Sequence, residues 1–112
     1  MADKRIRKRR HLSCLLRVFD RNTGDAVGHL VDITTEGIRL LTDNPLKTGA
    51  DYELNLDLSS IMNFEQRVVF DAHCIWQEQE FSSGSYNYGF KILKISKKGR
   101  EIIEQLIEQF GD

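Results

Sequence analysis

Apolar and polar residues alternate with a period of two along much of the chain. The alternation is clearest between residues 52 and 58, where a tyrosine and three leucines are separated by single polar residues. This pattern is typical of a strand with one buried face and one face in water. The sequence predicts six strands: Leu12–Phe19, Ala26–Ile33, Ile38–Thr42, Tyr52–Leu58, Arg67–Trp76 and Tyr86–Ile95.

The spacing of apolar residues changes near the end of the chain. After Ser96, a candidate N-cap, isoleucine, leucine and phenylalanine recur at helical intervals up to Phe110, while glutamates occupy the other face and Gly111 suits a helix end. Six short consecutive strands at this chain length favour a closed or nearly closed antiparallel barrel. We therefore predict a mainly β fold, a six-stranded antiparallel barrel with a C-terminal α-helix covering one opening.

Charge divides the 112 residues into two parts, although the formal net charge is only -1. Residues 1–11 hold six Lys/Arg and one acidic residue, whereas residues 12–112 hold ten basic and sixteen acidic residues. The first segment also has few apolar side chains, so we predict a flexible basic arm over residues 1–11 and a single barrel domain over residues 12–112.

The remaining composition restricts the cellular context. Cys14 and Cys74 both fall in strand-like apolar runs, which favours free buried thiols over a disulfide. No secretory leader and no apolar run of membrane-spanning length are visible, so we expect a cytoplasmic protein without membrane insertion.

Two stretches carry the chemistry that points to a ligand. The turn from Asp32 to Gly37 offers a carboxylate, the hydroxyl of Thr34 and a glycine able to take φ > 0 and to be approached closely. In the arm, Arg5 and Arg9 have an Arg-x-x-x-Arg spacing. Guanidinium groups bind phosphate oxygens or the guanine edge in a bidentate manner, and a carboxylate accepts from donors such as the N1–H and N2–H₂ of guanine. A phosphorylated guanine compound meets both requirements.

These motifs resemble those of the PilZ domain, a bacterial receptor module for cyclic di-GMP. The family pairs Arg-x-x-x-Arg near the N-terminus with Asp/Asn-x-Ser-x-x-Gly after the second strand, and this chain matches the second motif except that Thr34 replaces serine. Trp76 and the segment 88–91 also resemble the last strands of the family. The resemblance implies the PilZ-type six-stranded barrel with its C-terminal helix, in agreement with the strand pattern.

The resemblance also implies a function. The chain is expected to be a receptor or adaptor that binds cyclic di-GMP, with no cofactor, metal or catalytic residue, in control of motility, biofilm or polysaccharide output. Its arm would become ordered around the nucleotide and alter a surface for an effector protein. The candidate ligand-binding residues are Arg5, Arg9, Arg10, Asp32, Thr34, Gly37, Arg39 and Trp76.

Several alternatives stay open at the level of sequence. The arm could be a solvated tail or contact nucleic acid, although the acidic body makes a nucleic-acid partner less favourable, and Asp32 could only cap a turn. Trp76 could belong to the barrel core or rim, and Arg39 could be a solvated strand residue or a phosphate contact. A PilZ domain that has lost its ligand and acts only in protein interactions also fits the pattern.

Overall fold

A computed structural model describes residues 10–61, 67–79 and 84–110, with residues 10–15 and 79 described through their backbone alone. The elements in chain order are β1 (Arg10–Asp20), β2 (Ala26–Ile33), β3 (Gly37–Thr42), β4 (Asp51–Asp57), β5 (Arg67–Gln79), β6 (Tyr86–Ile95) and α1 (Lys97–Phe110). The strands form a closed barrel in the order β1-β2-β3-β6-β5-β4. Every neighbouring pair is antiparallel, so the predicted fold class is confirmed.

The barrel interior is filled by the side chains that the alternation assigns to the buried face. Leu30, Leu40, Leu54 and Tyr88 are almost completely buried and belong to one apolar cluster. Burying one such side chain contributes about 1.5–3 kcal/mol, so the alternating residues account for much of the stability of the barrel. Cys74 lies in the same core as a free thiol, and burial raises its pKa above the usual value.

Two predicted boundaries differ from the observed ones. β1 begins at Arg10, so Arg10 and His11, which the charge pattern assigns to the arm, are the first residues of a strand. β5 continues to Gln79, three residues beyond the predicted end. In both places polar residues extend a strand because a neighbouring strand supplies backbone partners, with Arg10 opposite Ile33 of β2. The other strands agree with the prediction to within one residue.

The C-terminal helix begins where the sequence places its cap. The Ser96 hydroxyl accepts a hydrogen bond from the Gly99 backbone N–H at 2.9 Å, which is the expected N-cap geometry. Ile102, Ile103 and Leu106 are buried in the barrel core, and the helix packs against β1 and β5. Within the described part of the chain, no helix has both the length and the apolar character needed to span a membrane.

Candidate functional site

Strand pairing brings three of the candidate side chains, together with Gly89, into one row on the barrel wall. Asp32 of β2 is opposite Arg39 of β3, Arg39 is opposite Gly89 of β6, and Gly89 is opposite Trp76 of β5. The backbone of His11 in β1 continues the row on the other side of Asp32. Residues that are 44 positions apart in the sequence, Asp32 and Trp76, therefore belong to a single surface.

An ion pair lies at the centre of this row. Arg39 Nε is 2.7 Å from Asp32 Oδ2, and the side chains are 24% and 2% exposed respectively. The contact is close without being an aligned hydrogen bond. Because Val31 is an extra residue in β2, the register shifts between Leu30 and Asp32 and sets the carboxylate opposite the guanidinium. A buried carboxylate needs such a cation to offset its lost hydration.

The turn between β2 and β3 is held together by Thr34. Its hydroxyl oxygen accepts hydrogen bonds from the backbone N–H groups of Glu36 at 3.1 Å and Gly37 at 3.0 Å. The hydroxyl hydrogen is directed to the Gly37 carbonyl oxygen at 3.3 Å, which also accepts from the Thr34 backbone N–H at 2.9 Å. Both lone pairs and the proton of this hydroxyl are therefore used within the turn. Thr34 shapes the site, and the serine of the family motif carries the same hydroxyl.

Gly37 is required because of a close contact between strands and not because of a left-handed backbone conformation. The glycines with positive φ in the described segments are Gly24, Gly49 and Gly84, and Gly37 is not among them. A Cβ atom on Gly37 would lie 2.7 Å from the backbone oxygen of Phe90 in β6. Since that oxygen belongs to the backbone of a strand and cannot easily move, the glycine permits the close approach of β3 to β6. The expectation of close approach fits this geometry, and the expectation of φ > 0 does not.

The indole ring of Trp76 packs against Gly89. A Cβ atom on Gly89 would be 2.2 Å from two atoms of the indole ring, so the ring occupies the space that any side chain there would take. The extra residue Ile75 makes a bulge in β5 immediately before Trp76. Trp76 is half-buried and lines the same side of the barrel wall as Arg39. A glycine inside a strand signals such a close approach, so Gly89 is a sequence signal for this packing.

These residues line a cleft of about 460 Å³. Its walls also include Ile75 and Lys91, which the sequence analysis did not identify as site residues. The full lining is Asp32, Ile33, Thr34, Glu36, Gly37, Ile38, Arg39, Ile75, Trp76, Gly89, Phe90 and Lys91. The cleft has the size of a small-molecule site and combines an aromatic ring, aliphatic walls and a few charged groups. Among the described residues, no group of three His, Cys, Asp or Glu side chains could hold a metal ion.

The arm joins the barrel beside this cleft. Arg5 and Arg9 lie outside the described residues, and Arg10 is described through its backbone, which pairs with Ile33 one position before Thr34. That Arg5 and Arg9 contribute to a ligand site therefore stays a prediction.

The fold and the cleft define a small closed β-barrel domain with a ligand-sized site on its outer wall. The chain belongs to the PilZ domain family, because the family model matches residues 3–109. Domains of this family are ligand-binding receptors. No curated protein sequence matches the chain.

Solved structures share the fold at low sequence identity. The PilZ domain of Escherichia coli YcgR with c-di-GMP has a TM-score of 0.71 and 14% identity, covering 96% of this chain and 92% of that chain. The Bacillus subtilis inhibitor of motility MotI/DgrA has a TM-score of 0.74 and 12% identity, with coverages of 96% and 52%. The K. pneumonia MrkH–c-di-GMP complex has a TM-score of 0.71 and 18% identity, also with coverages of 96% and 52%. The chain thus spans about half the length of MotI/DgrA and MrkH.

Substitution of Thr34 tests its role in the turn. Thr34→Val removes an acceptor from two backbone N–H groups, so we expect the free energy of unfolding to fall by about 1–2 kcal/mol. Thr34→Ser keeps the hydroxyl and should stay within about 0.5 kcal/mol of the natural protein. Urea unfolding followed by tryptophan fluorescence measures both. Equal stability of the valine and serine variants would contradict the assignment.

Proposed function

We propose that the protein is a cyclic di-GMP receptor, in which the cleft beside the β2–β3 turn and the N-terminal arm hold the nucleotide together. The observation that carries the proposal is the row formed by Asp32, Arg39 and Trp76 at the point where the arm meets the barrel. Family membership supports it, as does the presence of c-di-GMP in the related YcgR and MrkH structures.

Each group has a distinct part in the proposed complex. Arg5 and Arg9 supply planar donor forks to phosphate oxygens or to the O6/N7 edge of guanine, and Arg10 adds positive charge at the start of β1. The Trp76 ring forms an apolar wall against which a base can lie. Arg39 orients the Asp32 carboxylate and offers further N–H donors on the side of the cleft.

Asp32 gives a reason for guanine selectivity. A carboxylate accepts hydrogen bonds from both N1–H and N2–H₂ of guanine, whereas adenine has an acceptor at N1 and no amino group at position 2. An adenine dinucleotide would therefore place an acceptor against a buried carboxylate and offer that carboxylate no donor from position 1 or 2. Leaving buried polar groups unpaired is the strongest form of discrimination available to such a site.

The proposed output is a changed surface, since the receptor class performs no reaction. The arm becomes ordered as it closes over the nucleotide, and an effector protein recognises the closed form. Control of motility, biofilm formation or polysaccharide output is the proposed setting, because one similar structure is an inhibitor of motility and another is a PilZ domain with c-di-GMP. Ordering the arm costs part of the binding energy, so we expect a Kd near the micromolar range.

Isothermal titration calorimetry with three ligands tests the proposal. Cyclic di-GMP should bind saturably, cyclic di-AMP should bind at least about a hundredfold more weakly, and a short DNA duplex should bind without base preference or not at all. The titration also gives the number of nucleotides bound. Absence of heat with cyclic di-GMP at millimolar concentration would reject the receptor function, and tight salt-dependent binding of the duplex would favour a nucleic-acid-binding barrel.

A further inference from the structure

Half of the basic residues that follow the arm are concentrated in one ten-residue segment. Residues 91–100 contain five Lys/Arg and no Asp/Glu, whereas the rest of the chain after residue 11 has five basic and sixteen acidic residues. All five cationic side chains are exposed. The last part of β6 and the first turn of α1 thus form a cationic area on a strongly acidic body.

An exposed leucine lies within this area. Leu93 is the extra residue of a bulge in β6, because Ile92 is opposite Ala72 and Lys94 is opposite Asp71. The bulge directs Ile95 towards the core and leaves the Leu93 side chain 51% exposed. We call the set Lys91, Leu93, Lys94, Lys97, Lys98 and Arg100 the basic surface.

The charges on α1 oppose the preference of an isolated helix. A helix is stabilised by acidic side chains in its first turn and basic ones in its last, and α1 has neither. Instead, Lys97, Lys98 and Arg100 are at its positive end and its glutamates follow. A local rule broken at a cost in stability is a sign that the residues serve another purpose.

Three contacts tie the basic surface to the turn that carries the candidate nucleotide site. Lys91 is opposite Gly37, and the Ile92 backbone N–H donates to the Glu36 carbonyl oxygen at 2.8 Å. Arg100 Nη1 donates to the Thr35 carbonyl oxygen at 3.1 Å. Any displacement of the turn upon ligand binding must therefore be accommodated on the basic surface.

We propose that the basic surface is a docking site for an acidic segment of a partner protein that carries an apolar side chain. The exposed lysines complement the carboxylates of such a segment, and Leu93 supplies the apolar contact. That the nucleotide regulates this docking rests on the proposed receptor function. The docking itself depends only on the geometry and charge of residues 91–100.

The exposed leucine and the small extent of the basic surface make a nucleic acid a less favourable ligand there than an acidic peptide segment. An exposed leucine side chain makes no favourable contact with a charged phosphate backbone. The cationic area is also short, since it consists of about 10 Å of strand at residues 91–94 and a single helical turn at residues 97–100. Beyond it the acidic body repels a long polyanion, whereas a short acidic peptide segment stays within the favourable field.

Fluorescence anisotropy of the full chain with labelled peptides tests the proposal. A peptide of glutamate and leucine should bind, a peptide of glutamate alone should bind more weakly, and a peptide of lysine and leucine should not bind. The double substitution Lys94→Glu with Lys97→Glu should weaken binding of the first peptide about tenfold, and Leu93→Ser about fivefold. Lys97→Glu places an acidic group at the helix N-terminus, where it favours the fold. Lys94→Glu instead places a carboxylate opposite Asp71 of β5, so the single variant Lys97→Glu is measured beside the double variant, and urea unfolding shows that both are folded.

Two matched controls lie away from the basic surface. Lys47→Glu reverses an exposed charge in the β3–β4 loop, and Val69→Ser removes an apolar side chain that is 41% exposed on β5. Both should bind the peptide as the natural protein does. Equal weakening by a control, absence of binding at millimolar peptide, or tighter binding of duplex DNA through Lys94 and Lys97 would each overturn the proposal.

A separate measurement tests whether the nucleotide regulates docking at the basic surface. Saturating cyclic di-GMP should change the affinity for the glutamate–leucine peptide by about threefold or more, and Arg100→Ala should reduce that change. An unchanged affinity in a protein that binds the nucleotide would overturn regulation through this surface. Calorimetry with Leu93→Ser keeps the two proposals apart, because this variant should bind cyclic di-GMP normally. A protein that binds the peptide but no nucleotide would reject the receptor function alone.

Discussion

Asp32→Ala is expected to lower the affinity for cyclic di-GMP by about a hundredfold or more. The substitution removes the acceptor for two guanine donors, and hydrogen bonds to a charged group contribute about 1.5–3 kcal/mol. It also leaves Arg39 without the carboxylate that lies 2.7 Å from its Nε atom. Calorimetry measures the affinity. Asp32→Asn retains one acceptor oxygen, and for this variant we expect an intermediate loss of about tenfold.

The stability of the same variants separates recognition from folding. Breaking a buried ion pair costs about 3–5 kcal/mol, but Arg39 is 24% exposed and part of that cost is relieved by water. We therefore expect Asp32→Ala to lower the free energy of unfolding by roughly 1–3 kcal/mol while the barrel stays folded. Asp43→Asn changes an exposed carboxylate in the loop after β3 and should alter neither quantity. Undiminished nucleotide binding by Asp32→Ala would remove Asp32 from the site.

The architecture could be predicted because apolar strand runs are separated by turn-forming residues. The alternation in residues 52–58 predicts β4, whereas β2 and β6, in which burial does not alternate strictly, are bounded by the polar turns on either side. The helix was predictable for a similar reason, since Ser96 and Ile102 mark its cap and its buried face. The polar start of β1 could not be predicted, because its place in the barrel is set by pairing with β2 and not by burial.

The site was only partly predictable. The motif residues identify the turn, but two register shifts, at Val31 and Ile75, decide which residues lie in the row beside it. A period of two contains no information on such bulges. Without the extra Val31, Arg39 would not be opposite Asp32. The packing of Trp76 on Gly89 also depends on a contact between strands that are distant in sequence order from the turn. Local chemistry therefore led to the proposed ligand class, and tertiary pairing supplied the walls of the cleft.

The arm is where the largest effect without loss of stability is expected. Arg9→Ala should lower the affinity for cyclic di-GMP about a hundredfold or more, because the guanidinium fork makes several charge-assisted bonds to the ligand in the proposed complex. Arg9→Lys keeps the charge and loses the bidentate geometry, so a loss of about tenfold is expected. Since Arg9 precedes β1, the midpoint of urea unfolding should stay unchanged in both.

The comparison between these two arm variants distinguishes a specific site from a general attraction between charges. A basic tail that only attracts anions would bind equally well with lysine, and its affinity would fall steeply with salt. A fork that recognises phosphate or guanine would separate the variants at every salt concentration. Arg67→Ala removes a cation from the start of β5, outside the cleft, and should leave the affinity unchanged. Binding of cyclic di-GMP by Arg9→Lys as tight as that of the natural protein would contradict the proposal. The arm would then need no particular arginine to bind the nucleotide, and the Arg-x-x-x-Arg spacing would not define a binding motif in this chain.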